Sequence, residues 1–298
     1  MKHPTKVIAL IGPTASGKTG FAVQAAQALG GSILSVDSRQ VFKGMDLGTG
    51  KDLQEYEGVP YYGIDILDPT DDYSVAKFQA NALNWLQEIT GAGRVPILCG
   101  GSGHYLKALI QDYPFTAPAT DRSYSEALEE RPRSELEAQM DALGLSGPRD
   151  SLRRMARQIE RALRPAKPST EQPSFSEGYQ IRIFALNPPR DQLRQQIGLR
   201  LDQRLAAGMV DEVVRLRALG VSDERLRRFG LEYRWILEHL LGHLDAAQMR
   251  EKLYTAICQF AKRQVTFLRY LQKEGVTWEE VKQVTEFVEQ AQQWLEQD

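Results

Sequence analysis

The sequence predicts an α/β fold: a parallel sheet flanked by helices, with a small helical insert and a helical C-terminal region. Three observations predict it. Short apolar runs alternate with segments of helical period through the first third of the chain. A glycine-rich turn joins the first run to the first helical segment. Strand signals vanish after Gln111 and return once, near Tyr179. Strands that alternate with helices need crossover connections, which make neighbouring strands parallel and cover both faces of the sheet.

In order, Lys6–Ile11 reads as a buried strand and Lys18–Leu29 as a helix stopped by Gly30-Gly31. Ser32–Val36 is a second strand and Pro60–Leu67 a candidate third. Ser74–Ile89 is a helix with Ser74 as N-cap, because Val75, Phe78, Ala82, Leu83 and Leu86 follow the 3.6 period. Val95–Cys99 is a fully apolar strand, and Gly100-Gly101-Ser102-Gly103 leads into another helix. From Asp112 to about Ser176 the chain is polar, proline-punctuated and helix-leaning. Tyr179–Leu186 is one more strand, and after Asn187-Pro188-Pro189 the rest is expected to be helical. The expected organisation is a core of residues 1–111 and 178–298, interrupted by an insert at 112–177.

The 298 residues suit one large domain or two modest ones, at about 150 residues each. Thirty-seven Lys and Arg balance thirty-nine Asp and Glu, so no global field marks a nucleic-acid binder, although a local stripe would suffice. The two cysteines, Cys99 and Cys258, have no metal-ligand spacing and fit a reducing compartment. No apolar run approaches the roughly 18 residues needed to cross a bilayer. These features lead us to expect a soluble cytoplasmic protein with no membrane partner.

Gly12-Pro13-Thr14-Ala15-Ser16-Gly17-Lys18-Thr19 matches the phosphate-loop pattern G-x-x-x-x-G-K-[ST] in full. It follows a predicted strand and opens a helix, as the motif demands, which makes the sheet P-loop NTPase-like. The glycines let successive N–H groups face a phosphate, Lys18 adds charge, and the Thr19 hydroxyl is placed to ligate Mg2+. Kinases, hydrolases and group transferases all use this loop, so it does not define the reaction. Asp37 follows the second strand and should lie on the same rim, where ligands of open parallel sheets bind. A carboxylate there suits general-base or metal chemistry, and equally the capping of a turn.

The phosphate loop followed by Asp37-Ser38-Arg39-Gln40-Val41-Phe42 and Gly44-Met45-Asp46-Leu47-Gly48-Thr49 resembles the tRNA dimethylallyltransferase (tRNA isopentenyltransferase) family. The likeness continues through Tyr73–Phe78, Pro96–Tyr105 and Gln259–Arg269, covering residues 6–110 well and 180–270 more loosely. The resemblance implies transfer of a dimethylallyl group from dimethylallyl diphosphate to the exocyclic amine of the adenosine 3′-adjacent to the tRNA anticodon. It implies that the phosphate loop holds the diphosphate, that Asp37 is the general base, and that Ser38, Arg39 and Gln40 line the mouth where the adenine enters. Ser102 stands where the family usually has Thr and implies a hydroxyl contact to the reacting centre. Arg200 resembles the arginine that reaches the diphosphate. Read from the residues alone, Arg200 is as well explained by pairing with Asp202 or Glu212.

Arg153, Arg157, Arg161 and Arg164 fall within an arc of about 80° on one helix face. Such a row is either a solvated face or a stripe that follows RNA phosphates; the resemblance favours RNA. Lys262, Arg263 and Arg269 carry the same implication for the tRNA backbone. Two departures stand out: the insert is short for the family, and Phe229-Gly230-Leu231-Glu232-Tyr233-Arg234 replaces the familiar Gly-Tyr-Arg element. Alternatives are prenylation of free adenine nucleotides, which needs no long basic surface, and a P-loop small-molecule kinase, which needs no apolar slot for a five-carbon chain. A monomer binding the anticodon stem-loop is expected.

Overall fold

The computed structural model describes residues 4–113, 122–163 and 174–297. The described residues form two compact units: 4–112 with 174–297, and 113 with 122–163. The larger unit begins with β1 (Thr5–Ile11), α1 (Lys18–Leu29), β2 (Gly31–Ser35), β3 (Tyr61–Tyr62), α2 (Val75–Gly91), β4 (Val95–Gly100) and α3 (Gly103–Ile110). The smaller unit holds α4 (Arg122–Glu129), α5 (Arg133–Ala142) and α6 (Leu152–Leu163). The larger unit resumes with α7 (Phe175–Gly178), β5 (Tyr179–Ala185), α8 (Arg190–Ala206), α9 (Met209–Ala218), α10 (Asp223–Phe229) and α11 (Leu231–Leu240). It ends with α12 (Ala246–Lys273), β6 (Glu279–Glu280) and α13 (Val284–Glu296).

All strand pairs are parallel, in the order β3-β2-β4-β1-β5-β6. The pleat divides β1 between two cores. Val7, Ala9 and Ile11 face α2, α3 and the end of α12, through Phe78, Leu86, Leu109 and Leu268. Ile8 and Leu10 face α1 and α13, through Ala22, Ala26, Phe287 and Trp294. With both faces covered, these strands carry continuous apolar runs. A third core joins α8–α12 to the segment after β2 through Val41, Phe42 and Met45. The smaller unit has its own core of Leu128, Leu136, Met140, Met155 and Ile159.

Three expectations are corrected. The second strand starts and ends one residue early. The candidate strand 60–67 shrinks to Tyr61–Tyr62, because Gly63 and Asp65 take positive φ (78° and 54°) and leave the extended region. Beyond them the N–H groups of Ile66 and Leu67 bond to the Val41 carbonyl instead of to a sheet. The C-terminal region is not wholly helical: α12 stops at Lys273, just before Gly275 (φ 81°), and β6 pairs with β5 at the sheet edge. Chain reversal after a 28-residue helix returns a polar Glu-Glu pair to that edge, where solvent-facing charge is tolerated.

No helix among the described residues is long and apolar enough to cross a membrane.

Candidate active site

The carboxyl ends of β1, β2 and β4 lie side by side, so the segments that follow them share one rim. After β1, Gly12 packs against the Leu186 carbonyl, which a Cβ would approach to 2.7 Å. Ala15 (φ 62°) and Gly17 (φ 82°) then turn the chain so that α1 begins without a side-chain cap. Its first N–H groups therefore have no side-chain cap among the described residues and stand as donors at the positive end of a helix dipole. The Lys18 ammonium curls back to the Pro13 carbonyl at 3.1 Å. Burial lowers its pKa, with Arg200 and Arg204 adding to the fall and Cys99 and Asp37 opposing it.

After β2, the Val36 N–H donates to the Cys99 carbonyl, and the Ser102 N–H donates to the Val36 carbonyl at 3.3 Å. A Cβ on Gly100 would collide with the Val36 backbone, so only glycine lets the two strand ends approach this closely. The result places Ser102 beside the residue preceding Asp37. Asp37 Oδ1 accepts the N–H of Arg39 at 2.8 Å and that of Gln40 at 3.4 Å. The turn-capping role is thus real, and it occupies one oxygen; Oδ2 accepts no hydrogen bond among the described residues. Burial raises the Asp37 pKa, against the two amides and the Lys18 charge.

Two side chains from distant elements complete the loop. Arg200 Nη2 donates to Thr14 Oγ1 at 2.9 Å. Burial, then the neighbouring Arg204, pulls the Arg200 pKa down to about 10. The Asp202 and Glu212 carboxylates, its alternative partners, are held elsewhere. Asp202 binds Arg250, while Glu212 accepts the amides of Asp46, Leu47 and Gly48 and the Tyr233 hydroxyl. Gln264 on α12 bridges two loops: its Oε1 accepts the Thr14 N–H at 2.8 Å and its Nε2 donates to the Gly101 carbonyl at 3.1 Å. A slot lined by Ile11, Gly12, Val36, Ser102, Leu106 and Phe267 opens beside this bridge. A second pocket, under the loop, is lined by Thr14, Ala15, Arg200, Arg204 and Glu232.

The remaining expected residues fall in different settings. Ser38 is half-buried next to Asp37. Arg39 donates to the Arg228 carbonyl at 2.8 Å and lies over the Phe229 ring. The Gln40 amide, expected at an adenine edge, is engaged at both ends: its Oε1 accepts from Ser35 Oγ and its Nε2 donates to the Gly50 carbonyl. Arg153, Arg157 and Arg161 project from α6 of the smaller unit with no ion pair among the described residues, whereas Arg154 pairs with Asp150. Arg164 lies outside the described residues. Lys262, Arg263 and Arg269 are exposed on α12, with Arg263 over the Phe260 ring.

The donor set fits Mg2+ of the kind that keeps few protein ligands. Thr19 offers a hydroxyl in the first turn of α1, and the buried Ser16 hydroxyl has no hydrogen-bond partner. Mg2+ takes oxygen ligands and is commonly completed by substrate phosphates and water. No group of three His, Cys, Asp or Glu able to hold a metal by itself occurs among the described residues.

Sequence reasoning missed Gln264, Arg204, Asp52 and Glu232. Only Arg204 left a signal, its i+4 spacing from Arg200; the others become neighbours through long-range packing.

A family model described as IPP transferase matches residues 40–271. The chain is 38% identical to tRNA dimethylallyltransferase 1 of Syntrophus aciditrophicus, across 91% of each chain. It is 41% identical to tRNA dimethylallyltransferase 2 of Syntrophotalea carbinolica, across 91% of this chain and 92% of that one. Among solved structures it is similar to the full-length tRNA isopentenylpyrophosphate transferase of Bacillus halodurans. That match has a TM-score of 0.72 at 31% identity, over 98% of this chain and 97% of that one.

Proposed function

The chain belongs to the IPP transferase family, and on that premise we propose that it transfers a dimethylallyl group from dimethylallyl diphosphate to tRNA, as a cytoplasmic monomer using Mg2+. The acceptor is the exocyclic amine of the adenosine 3′-adjacent to the anticodon. The observation that carries this reading is the convergence of Lys18 and Arg200 on the phosphate loop, on the rim that also bears Asp37.

Transfer breaks the bond between the allylic carbon and the diphosphate oxygen, and the electron pair leaves with the oxygen. The N–H groups at the start of α1, Lys18 and Arg200 stabilise the charge that develops there. The allylic carbon becomes electron-poor and accepts the lone pair of the adenine amine. That nitrogen must lose a proton as its bond forms, because its lone pair is otherwise delocalised into the ring. Asp37 Oδ2 receives the proton, Oδ1 being occupied by two amides, and burial strengthens its hold on it. Thr19 would hold Mg2+ together with phosphate oxygens; when bound, the ion neutralises leaving-group charge.

The Ser102 hydroxyl has no hydrogen-bond partner among the described residues and is assigned to the reacting centre. Ser38 and Arg39 line the acceptor mouth, Gln40 braces it, and the slot beside Leu106 and Phe267 takes the five-carbon chain. Arg153, Arg157 and Arg161, and separately Lys262, Arg263 and Arg269, contact phosphates of the anticodon stem-loop.

The test is transfer from labelled dimethylallyl diphosphate, with Mg2+, to total tRNA or to AMP in parallel. Label in tRNA is the expected result. Label in AMP alone moves the chain to free-nucleotide prenylation and returns the arginine rows to ordinary surface. No label in either sinks the transferase reading, and ATP binding then tests a kinase.

A further inference from the structure

Arg204 occupies an unusual place for a residue whose visible partner is one aspartate. It lies four residues beyond Arg200 on α8, on the same helix face. Both side chains line the pocket under the phosphate loop with Thr14, Ala15 and Glu232. Arg204 Nη2 donates to both carboxylate oxygens of Asp52, at 2.9 and 3.1 Å. Its side chain is only 11% exposed. Nε and Nη1 have no hydrogen-bond partner among the described residues, so three N–H donors of a nearly buried guanidinium remain unused.

The same guanidinium packs on Gly50, where a Cβ would collide with it. The Gly50 carbonyl accepts Gln40 Nε2 at 2.9 Å, and the Gln40 N–H reaches Asp37 Oδ1 at 3.4 Å. Asp52 is itself held in the left-handed region (φ 47°), which aspartate tolerates. Two short steps therefore connect Arg204 to the turn that carries Asp37.

Charge points the same way. Arg200 and Arg204 line one poorly solvated pocket, and the buried Lys18 ammonium is close enough to feel both charges; close cations are costly there without anions to balance them. Asp52 supplies one anion. Glu232 lines the same pocket, but burial pushes its carboxyl towards the neutral form against the pull of Arg204 and Arg200. The pocket is thus built for an additional anion.

We propose that Arg204 is a second diphosphate-binding arginine, and that through Asp52 and Gly50 it also sets the turn presenting Asp37. One side chain then couples the donor pocket to the acceptor base. The proposal rests on the diphosphate reading of the loop.

The test uses the full chain, inorganic pyrophosphate with Mg2+ as the binding probe, and transfer kinetics with tRNA. Arg204→Met is expected to weaken pyrophosphate binding about tenfold or more, the scale of a lost charge-assisted hydrogen bond. Arg204→Lys should recover part of that affinity but not kcat, because one ammonium cannot serve Asp52 and phosphate with a planar fork. Asp52→Asn should keep pyrophosphate affinity within about threefold while lowering kcat, a split that a general loss of structure does not produce. Thermal unfolding checks each variant, and if Arg204→Met does not fold, the other two decide. A folded Arg204 variant that binds pyrophosphate within about twofold of wild type overturns the diphosphate contact. Wild-type kcat in Asp52→Asn overturns the coupling. Failure of the wild type to bind pyrophosphate is a different result: it overturns the diphosphate reading itself.

Discussion

At Asp37 the two carboxylate oxygens are used differently: Oδ1 caps the turn, which leaves Oδ2 for the proton in the proposed reaction. Oδ1 holds the amides of Arg39 and Gln40, and burial raises the pKa of the whole group. Asp37→Asn keeps the capping oxygen and removes the base. Its transfer rate should fall by about 10²–10⁴-fold, with tRNA affinity largely retained; activity within about tenfold of wild type would refute the assignment. The same substitution has a stability signature. A carboxylate whose folded pKa is raised contributes stability that is fully present below the unfolded pKa and lost as pH rises through the folded one. Asp37→Asn should therefore melt higher than wild type at neutral pH, with the gap closing as pH falls towards about 4. Unfolding temperatures across that range check the sign. In the wild type, the acid limb of kcat/KM should lie above the ordinary carboxylate range and vanish in the variant.

At the level of elements, the site depends on how closely strand ends approach one another. Gly100 ends β4 against the Val36 backbone, and the Ser102 N–H bond to Val36 follows from that contact. Gly100→Ala should cost about 1–3 kcal/mol from overpacking, read by denaturant unfolding. It should also reduce transfer, because Ser102 and Asp37 are pushed apart; unchanged stability would mean that the backbone yields freely there. Helix starts and stops were legible wherever a local signal set them. Ser74 caps α2 by accepting the Lys77 N–H, and α1 ends at a left-handed Gly30, both as read from the chain. The extents of short edge elements were not legible: the third strand was expected over 60–67, and the pair at 279–280 was not expected at all. Tyr61–Tyr62 and Glu279–Glu280 are strands only because β2 and β5 offer them an edge, and a two-residue strand has no period of its own.

For the whole molecule, a net charge of −2 conceals an uneven distribution. Three of the arginines around Gly230 are held in ion pairs, Arg225 with Asp72, Arg227 with Glu238 and Arg228 with Glu224, and Arg234 lies over the Trp235 ring. By contrast, Arg153, Arg157 and Arg161 have no such partner among the described residues. Burial and then the charge of Arg153 lower the Arg157 pKa, so the row is crowded enough for its members to repel one another. Replacing the three by Gln should weaken tRNA binding and flatten the slope of log K against log salt by about two. An unchanged slope would make the row a solvated face.

By itself the sequence determined what local chemistry encodes: the phosphate-loop motif, the alternation that makes the sheet parallel, and the position of Asp37 just past a strand end. Each is a short pattern whose meaning is carried by adjacent residues. The tertiary structure alone decided which distant groups complete the site. Gln264 reaches Thr14 across 250 residues, and Arg204 reaches Asp52 across 152. It also decided that Gln40 braces a loop, and that Glu212 anchors residues 46–48 instead of serving as the counter-charge of Arg200. The physical reason is that a hydrogen bond or ion pair between distant residues leaves no period or spacing in the chain. It exists only after the sheet and helices have closed, when buried polar groups must find whichever partners the packing has brought within reach.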